Sequence, residues 1–323
     1  KTLSHLSFMI SAVILGLPRL NTIDVIIVSS PTFFSAFAGL FISKIRRVPF
    51  VFEVRDLWPA VFIDLGILNN VFLIRLLETW EMFLYTQAEL IVTVTNSFRN
   101  KLIERGLAAE KIVVVSNGAM VNKFNPGDKN TDICNELGIS GKFVVSYIGA
   151  HGISQGVETI MEAAGILKYR TDITFMLVGE GAMKKAMVVM KNDRDLQNVI
   201  MLPAQLKERI PDLYRASDVC IVPLRDVPLF DSFVPSKMFE IMSCGIPIIG
   251  SVNGEAREIL ELSKSARIIS PESVDELVDS IEWMVDNPQE RKVMGASGRI
   301  FVCENYNRTM LAKKYVNHLK RIV

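Results

Sequence analysis

The chain has 323 residues, half of them hydrophobic and 22% charged, with a formal net charge of +1. That length predicts two domains, each large enough to bury its own core, and the composition excludes a disordered chain. A near-neutral balance gives no electrostatic reason to expect a nucleic-acid partner.

Taken in order, the first apolar run is 8–17, about half of what a membrane span needs. A buried or domain-packing helix is expected there, and the run, with Lys44, Arg46 and Arg47, also suits a membrane surface. The chain opens on lysine in helix-like sequence, which leads us to expect a preceding segment and an incomplete first domain. A strand at 24–29, helix 32–46, strand 49–54, a helix from about 70 to 87, strand 89–94, helix 97–105 and strand 111–115 follow. These strands are nearly continuous apolar runs, as in a parallel sheet covered on both faces.

The rhythm stops over 124–142, which holds Pro126, Gly127, Gly138 and Gly141 and reads as a linker. It resumes with strand 143–148, helix 157–169, strand 173–178, helix 182–191, strand 199–202, helix 206–216, strand 218–222, helix 235–244 and strand 246–249. After a short strand at 266–269, helices fill 273–285, 289–304 and 309–322. The prediction is α/β: two doubly wound Rossmann-like domains, with ligands outside the carboxyl ends of the strands, in a cleft between facing domains.

Pro235-Ser236-Lys237-Met238-Phe239-Glu240 follows a buried strand and reads as a helix start. Proline is tolerated there because the first N–H has no partner. Free N–H groups from Ser236 onward suit a phosphate, Lys237 adds a full charge, and Glu240 can accept two ribose hydroxyls. Gly149-Ala150-His151-Gly152, leading to Gln155-Gly156, is a strand-to-glycine turn open to phosphate approach, though a plain tight turn has the same spelling. Asn117-Gly118 is a turn dipeptide at a strand's carboxyl end. Glu53-Arg55-Asp56 places three charges at the end of an apolar strand, either as a structural ion pair or on the rim of a site.

Other patterns carry little. Four cysteines (Cys134, Cys220, Cys244, Cys303) without CxxC spacing read as reduced core thiols of a cytosolic protein. Three distant histidines (His5, His151, His318) spell no metal cluster. Asp193-Arg194-Asp195 has the DxD spelling of metal-dependent transferases, but no apolar strand precedes it, so a solvated loop is expected. Asn307-Arg308-Thr309 spells a glycosylation sequon, without meaning in a cytosolic protein.

Together the segments 54–59 (VRDLWP), Asn117-Gly118, 149–156 (GAHGISQG), 235–240 (PSKMFE) and Gly245-Ile246-Pro247 resemble the retaining glycosyltransferases of GT-B fold, family GT4, over nearly the whole chain. The bacterial N-acetyl-L-fucosamine transferases of surface-polysaccharide assembly are the most similar branch. The resemblance implies an acceptor-side domain at 1–125, a donor-binding domain at 126–305 and a helix at 306–323 that crosses back to the first. It implies a nucleotide-sugar donor, UDP-linked, as co-substrate without cofactor or metal. The implied acceptor is a lipid-linked saccharide of O-antigen or capsule assembly, met by a cytoplasmic enzyme peripheral to the inner membrane face.

Carried over by position, Glu240 holds the ribose, and Ser236, Lys237, Gly149, His151 and Gly152 approach the diphosphate. Asn117 and Gly118 line the donor pocket. The sequence departs from the family at Ser232, where many relatives have glutamate, at Ala150 and Gln155, where many have a basic pair, and at Arg55, where a histidine is common. Charge on the leaving diphosphate then falls to Lys237, Arg55 or Arg225, with Arg55 and Asp56 near the reacting centre. A UDP-sugar 2-epimerase of the same fold and a non-catalytic interaction subunit remain as alternatives.

Overall fold

The structure, a computed structural model, describes residues 2–31 and 33–323. Two compact units divide the chain: Lys1–Ser116 with Met310–Val323, and Asn117–Thr309.

In the first unit α1 (Thr2–Ser11) runs through a π turn and a 3-10 turn to Arg19. β1 (Ile26–Ser29), α2 (Phe33–Arg46), β2 (Phe50–Val54), α3 (Ala60–Asp64), α4 (Val71–Gln87), β3 (Leu90–Thr93), α5 (Asn96–Glu104) and β4 (Ile112–Val114) follow. The expected helix start Thr32 lies outside the described residues. The strands form a parallel sheet in the order β1-β2-β3-β4, with Val51 opposite Leu90 and Ile91 opposite Ile112. Because this order never reverses, right-handed crossovers carry α2, α4 and α5 to one face. The other face, with Val51, Leu90, Val92 and Val115, is covered by Leu311, Tyr315, Leu319 and Ile322 from the chain's C-terminal helix. The burial expected for 8–17 is not found: Phe8, Ile14 and Leu15 are exposed, because the sheet's two faces are already taken by other helices.

The second unit contains α6 (Thr131–Glu136), β5 (Phe143–Ile148), α7 (Val157–Ile166), β6 (Ile173–Val178), α8 (Lys184–Asp193), β7 (Val199–Leu202), α9 (Ile210–Arg215) and β8 (Val219–Pro223). Then come α10 (Lys237–Ser243), β9 (Ile248–Ser251), α11 (Gly254–Ser263), β10 (Ala266–Ile269), α12 (Val274–Asp286) and α13 (Pro288–Asn305), and the last helix, α14 (Arg308–Leu319), starts here but lies for the most part in the first unit. The parallel sheet runs β10-β9-β8-β5-β6-β7. Its order reverses after β7, so a topological switch point lies between β5 and β8, where open α/β sheets hold ligands. α7 and the returning α12 bury Ile160, Met161, Leu277 and Ile281 on one face. On the other, α13 closes on α10 and on the turn before β9, where a Cβ on Gly295 would come 2.0 Å from the Gly245 carbonyl.

The two parallel α/β sheets agree with the predicted fold class. Differences are local. The segment read as a linker contains α6, started by Asn130, whose side chain accepts a hydrogen bond from the Ile133 N–H at 3.0 Å. The helix expected from 206 begins only at Ile210, with Pro211 in its first turn. α10 begins at Lys237, so Pro235 precedes the helix rather than opening it. α11, between the strands expected at 246–249 and 266–269, was not expected; it starts at Gly254 after Asn253, whose side chain makes no capping bond.

Gly295→Ala should lower unfolding stability by about 1–3 kcal/mol, since the methyl group meets backbone that cannot yield without moving α13. Urea denaturation would check this, and an unchanged midpoint would show that α13 does not lie as described.

Candidate functional site

The second unit's sheet opens where its order reverses. β5 and β8 are paired only at Val145–Val219 and Ser146–Cys220, whereas β5 and β6 are paired through six residues. Beyond Ser146 the ladder between these two strands stops, and the next residue of β5 is the buried Tyr147. The Lys237 side chain reaches the Tyr147 ring from α10, its Nζ 4.0 Å from the ring centre. That nitrogen is sealed from solvent, although the residue as a whole is only half-buried, and it has no hydrogen-bond partner. Burial pushes its pKa down to about 7, partly opposed by Cys220 and Glu240. A cation held this way stands ready for an anion.

Gly149 follows β5 with φ +155°, and a Cβ there would come 2.5 Å from Lys237 Nζ. A second turn, Gly179-Glu180-Gly181, follows β6 and packs backbone to backbone on the first. The Gly149 N–H donates to Val178 O at 2.9 Å and the His151 N–H to Glu180 O at 2.9 Å. A Cβ on Gly179 would lie 1.9 Å from Gly149 O. The glycines therefore serve loop-on-loop packing and room for Lys237 as well as any approach to phosphate.

His151 is fully buried with neither ring nitrogen partnered, its ring 5.7 Å from that of Tyr147. Burial first, then the Lys184 and Lys237 ammonium groups, lower its pKa to about 4, so it brings no charge at neutral pH. Gly152 lies at the start of the short turn Ile153–Gln155 in ordinary extended backbone.

Arg225, counted on sequence among the diphosphate ligands, is engaged elsewhere. Its guanidinium donates to Glu158 Oε1 and to the Ile153 carbonyl at 2.6 Å, and pairs with Glu272 at 3.5 Å. It clamps the loop ahead of α7, with its charge answered by two carboxylates. Glu158 also occupies the first turn of α7, where an incoming anion would otherwise gain from the dipole.

Glu240 is half-buried on α10, and burial raises its pKa against the pull of Lys207, Arg308, Lys237 and Lys123. Ser236, exposed, makes no capping side-chain bond. Ser232 is buried and donates to Leu229 O at 2.6 Å, so it faces inward. Asn117-Gly118 lies in irregular chain with no turn assigned, and the Gly118 carbonyl accepts from Arg308 at 3.0 Å. Arg308 thus links Gly118 to the surroundings of Glu240. Sequence reasoning passed over it as part of a sequon; a basic residue opening the last helix was the only signal available.

Asp193 and Asp195 close α8 ahead of β7, at the sheet's amino edge, opposite the loops just described. Groups of three or more candidate ligands for a metal ion are absent among the described residues. Cys134, Cys220, Cys244 and Cys303 are free thiols.

The first unit holds a second cluster. Ser30, missed on sequence although it lies between the end of β1 and Pro31, accepts hydrogen bonds from the Arg55 and Asp56 N–H groups at 2.9 and 3.1 Å. Arg55 pairs with Glu53 at 3.0 Å and is exposed on its outer side. Burial raises the Asp56 pKa, with Arg55 opposing.

Residues 129–301 match the family described as "Glycosyl transferases group 1", and 3–118 match the "Glycosyl transferase 4-like domain". WcaI of Escherichia coli (strain K12), named for a glycosyl transferase role in colanic acid biosynthesis, is 26% identical over 92% of this chain and 74% of its own length. An alpha-D-kanosaminyltransferase of Streptomyces kanamyceticus is 22% identical over 68% of this chain and 57% of its own. Among solved structures, Anabaena Alr3699/HepE in complex with UDP-glucose superposes with a TM-score of 0.77 at 19% identity, over 92% of this chain and 79% of that one. That likeness is one of GT-B-type fold.

Because the folded pKa of Lys237 lies below that of the unfolded chain, its charged form opposes folding. The cost is complete below about pH 7 and fades as pH rises toward the ordinary lysine value, 10.5. Lys237→Met should therefore raise the melting temperature of the ligand-free protein at pH 6.5, by about 2–4 °C for each kcal/mol regained. The gain should shrink toward pH 10 in thermal scans; a loss at every pH would mean that the ammonium is paired.

Proposed function

The chain belongs to the group 1 glycosyl transferases, and on that ground we propose that it transfers a sugar, with retention, from a nucleotide donor to a lipid-linked saccharide in cell-surface polysaccharide assembly. The observation that carries the donor reading is the sealed, unpartnered Lys237 ammonium at the switch point, beside Glu240. UDP is the proposed nucleotide, consistent with the UDP-glucose in the Anabaena neighbour. N-acetylated deoxy sugars are the proposed cargo, and the enzyme works peripherally at the cytoplasmic membrane face.

In this reading Glu240 accepts the ribose hydroxyls, and the backbone of 149–152 lies along the diphosphate. Lys237 supplies the positive charge that a metal ion provides in other transferases. α10 is only seven residues long, so few aligned peptide dipoles stand behind its start and the full charge matters more. As the glycosidic bond to the diphosphate breaks, negative charge grows on the leaving oxygen and the ammonium meets it in a dry site. The sugar passes through an oxocarbenium-like state, and the acceptor hydroxyl attacks from the same face while its proton moves to the departing phosphate. Arg55 and Asp56 are assigned to the acceptor side. Arg225 positions the loop, and Arg308 orients Gly118.

Calorimetric titration tests the assignment. Lys237→Met should weaken UDP about 10- to 100-fold while leaving uridine unaffected, as loss of one charge-assisted bond implies. Glu240→Ala should weaken both. Donor binding requires charged Lys237, so above about pH 7 it draws a proton from solution, and UDP affinity should fall by up to tenfold per pH unit. Equal binding of UDP by wild type and Lys237→Met would sink the donor assignment. Supplying the protein with labelled nucleotide sugars and a lipid-linked acceptor separates transfer from epimerisation and from inert binding.

A further inference from the structure

On the first unit, α1, α2 and α4 frame a groove of about 610 Å³ lined by Ile10, Ile14, Phe37, Phe41, Lys44 and Phe83, among others. Its lining is apolar and open: Ile14 is 62% exposed, Ile10 53%, Phe41 52% and Phe83 47%. Soluble surfaces rarely leave so many large apolar side chains together without use. The charge contributed by the N-terminal segment and α2 is mostly positive. Across the first 52 residues Asp24 is the lone acid, against Lys1, Arg19, Lys44, Arg46 and Arg47. Lys44 lines the groove itself, and Arg46 reaches the Leu17 and Leu20 carbonyls at 2.7 and 2.6 Å, which fixes its positive charge beside the N-terminal segment.

We propose that this face is a docking surface for an anionic lipid bilayer, with the α1–α2–α4 side chains entering the acyl boundary and the basic rim meeting the headgroups. No helix among the described residues is long and apolar enough to cross a membrane, so the segment lies in the interface plane. A second copy of the chain is the poorer occupant. Two such faces would bring like charges together, at a contact that must bury over 1,000 Å² to be stable. The proposal deepens the peripheral reading above by naming the surface and the lipid class, and it rests on that reading only for its biological purpose.

Flotation of the full-length protein with phosphatidylcholine vesicles, with and without about 30% phosphatidylglycerol, tests it. Each basic residue near the surface favours anionic lipid, so partitioning should rise at least tenfold with the anionic component. Phe41→Ser with Ile14→Ser should abolish binding. Lys44→Glu with Arg47→Glu should reduce it at least tenfold while leaving Arg19 and Arg46 in place. All four side chains are half-exposed or more, or line the open groove, so the fold tolerates their change. Equal partitioning to neutral and anionic vesicles, no effect of the variants, or a dimer by light scattering that Phe41→Ser dissolves would each overturn the proposal. UDP titration of the same variants keeps the outcomes apart: intact UDP binding without vesicle binding removes the docking surface alone, and absent UDP binding in the wild type removes the donor reading instead.

Discussion

The parting of β5 from β8 after two paired residues is the constraint on which the candidate site depends. A parallel sheet gains by pairing to its end, yet here the ladder stops at Ser146 and Cys220. Tyr147 is the next residue of β5, and the Lys237 ammonium sits over its aromatic face instead of beside a carboxylate. A cation–π contact compensates part of the cost of sealing a charge, but not all of it, which is why the group's pKa falls. The fold thus keeps a cation in a state that an anion would improve. Gly149 is part of the same arrangement, since any side chain there would claim the space that Lys237 fills.

Charge around this point is distributed unevenly, and the distribution decides which basic residues remain available. Arg225 is committed to Glu158 and Glu272. His151 is neutral through burial. Lys184 donates to the Gly179 and Leu202 carbonyls at 2.9 and 2.7 Å, tying the second glycine turn to the end of β7. Each of these holds the loops in place, and together they give Lys237 a rigid setting. Preorganisation of this kind matters because a charge that need not reorient is worth more to a developing anion than one that must.

Much of this was legible in the sequence, for reasons that differ by element. Parallel strands covered on both faces are nearly continuous apolar runs, and those at Phe143–Ile148, Ile173–Val178 and Val199–Leu202 were read to the residue, as was the half-buried edge strand Ala266–Ile269. The helices α6, capped by Asn130, and α11, which follows Asn253 without a side-chain cap, were not, because the Asn and Gly residues at their starts spell turns equally well. The importance of Lys237 was visible from its place after Pro235-Ser236, but its sealed, unpaired state was not: that depends on where β5 and β8 separate, a property of pairing between segments some 70 residues apart. Arg225 illustrates the reverse. Its spacing after a strand suggested a ligand, and only the approach of Glu158 and Glu272 from distant segments shows its charge already answered.

The first unit imposes a different constraint, one of order along the chain. Its strand order without reversal leaves a whole face of the sheet bare after β4 is made, and the apolar side chains that cover it are Leu311, Tyr315, Leu319 and Ile322. Strands and cover are separated by the entire second unit in sequence. Contacts of such long range form late because the intervening chain must be ordered or looped first. During synthesis Val51, Leu90 and Val92 therefore stay uncovered until residues 311–322 emerge, and a chain cut before Leu311 would leave that face open to water or to aggregation. The C-terminal helix carries no residue of the candidate donor site beyond Arg308 at its start, yet the first unit's core is closed only when it arrives.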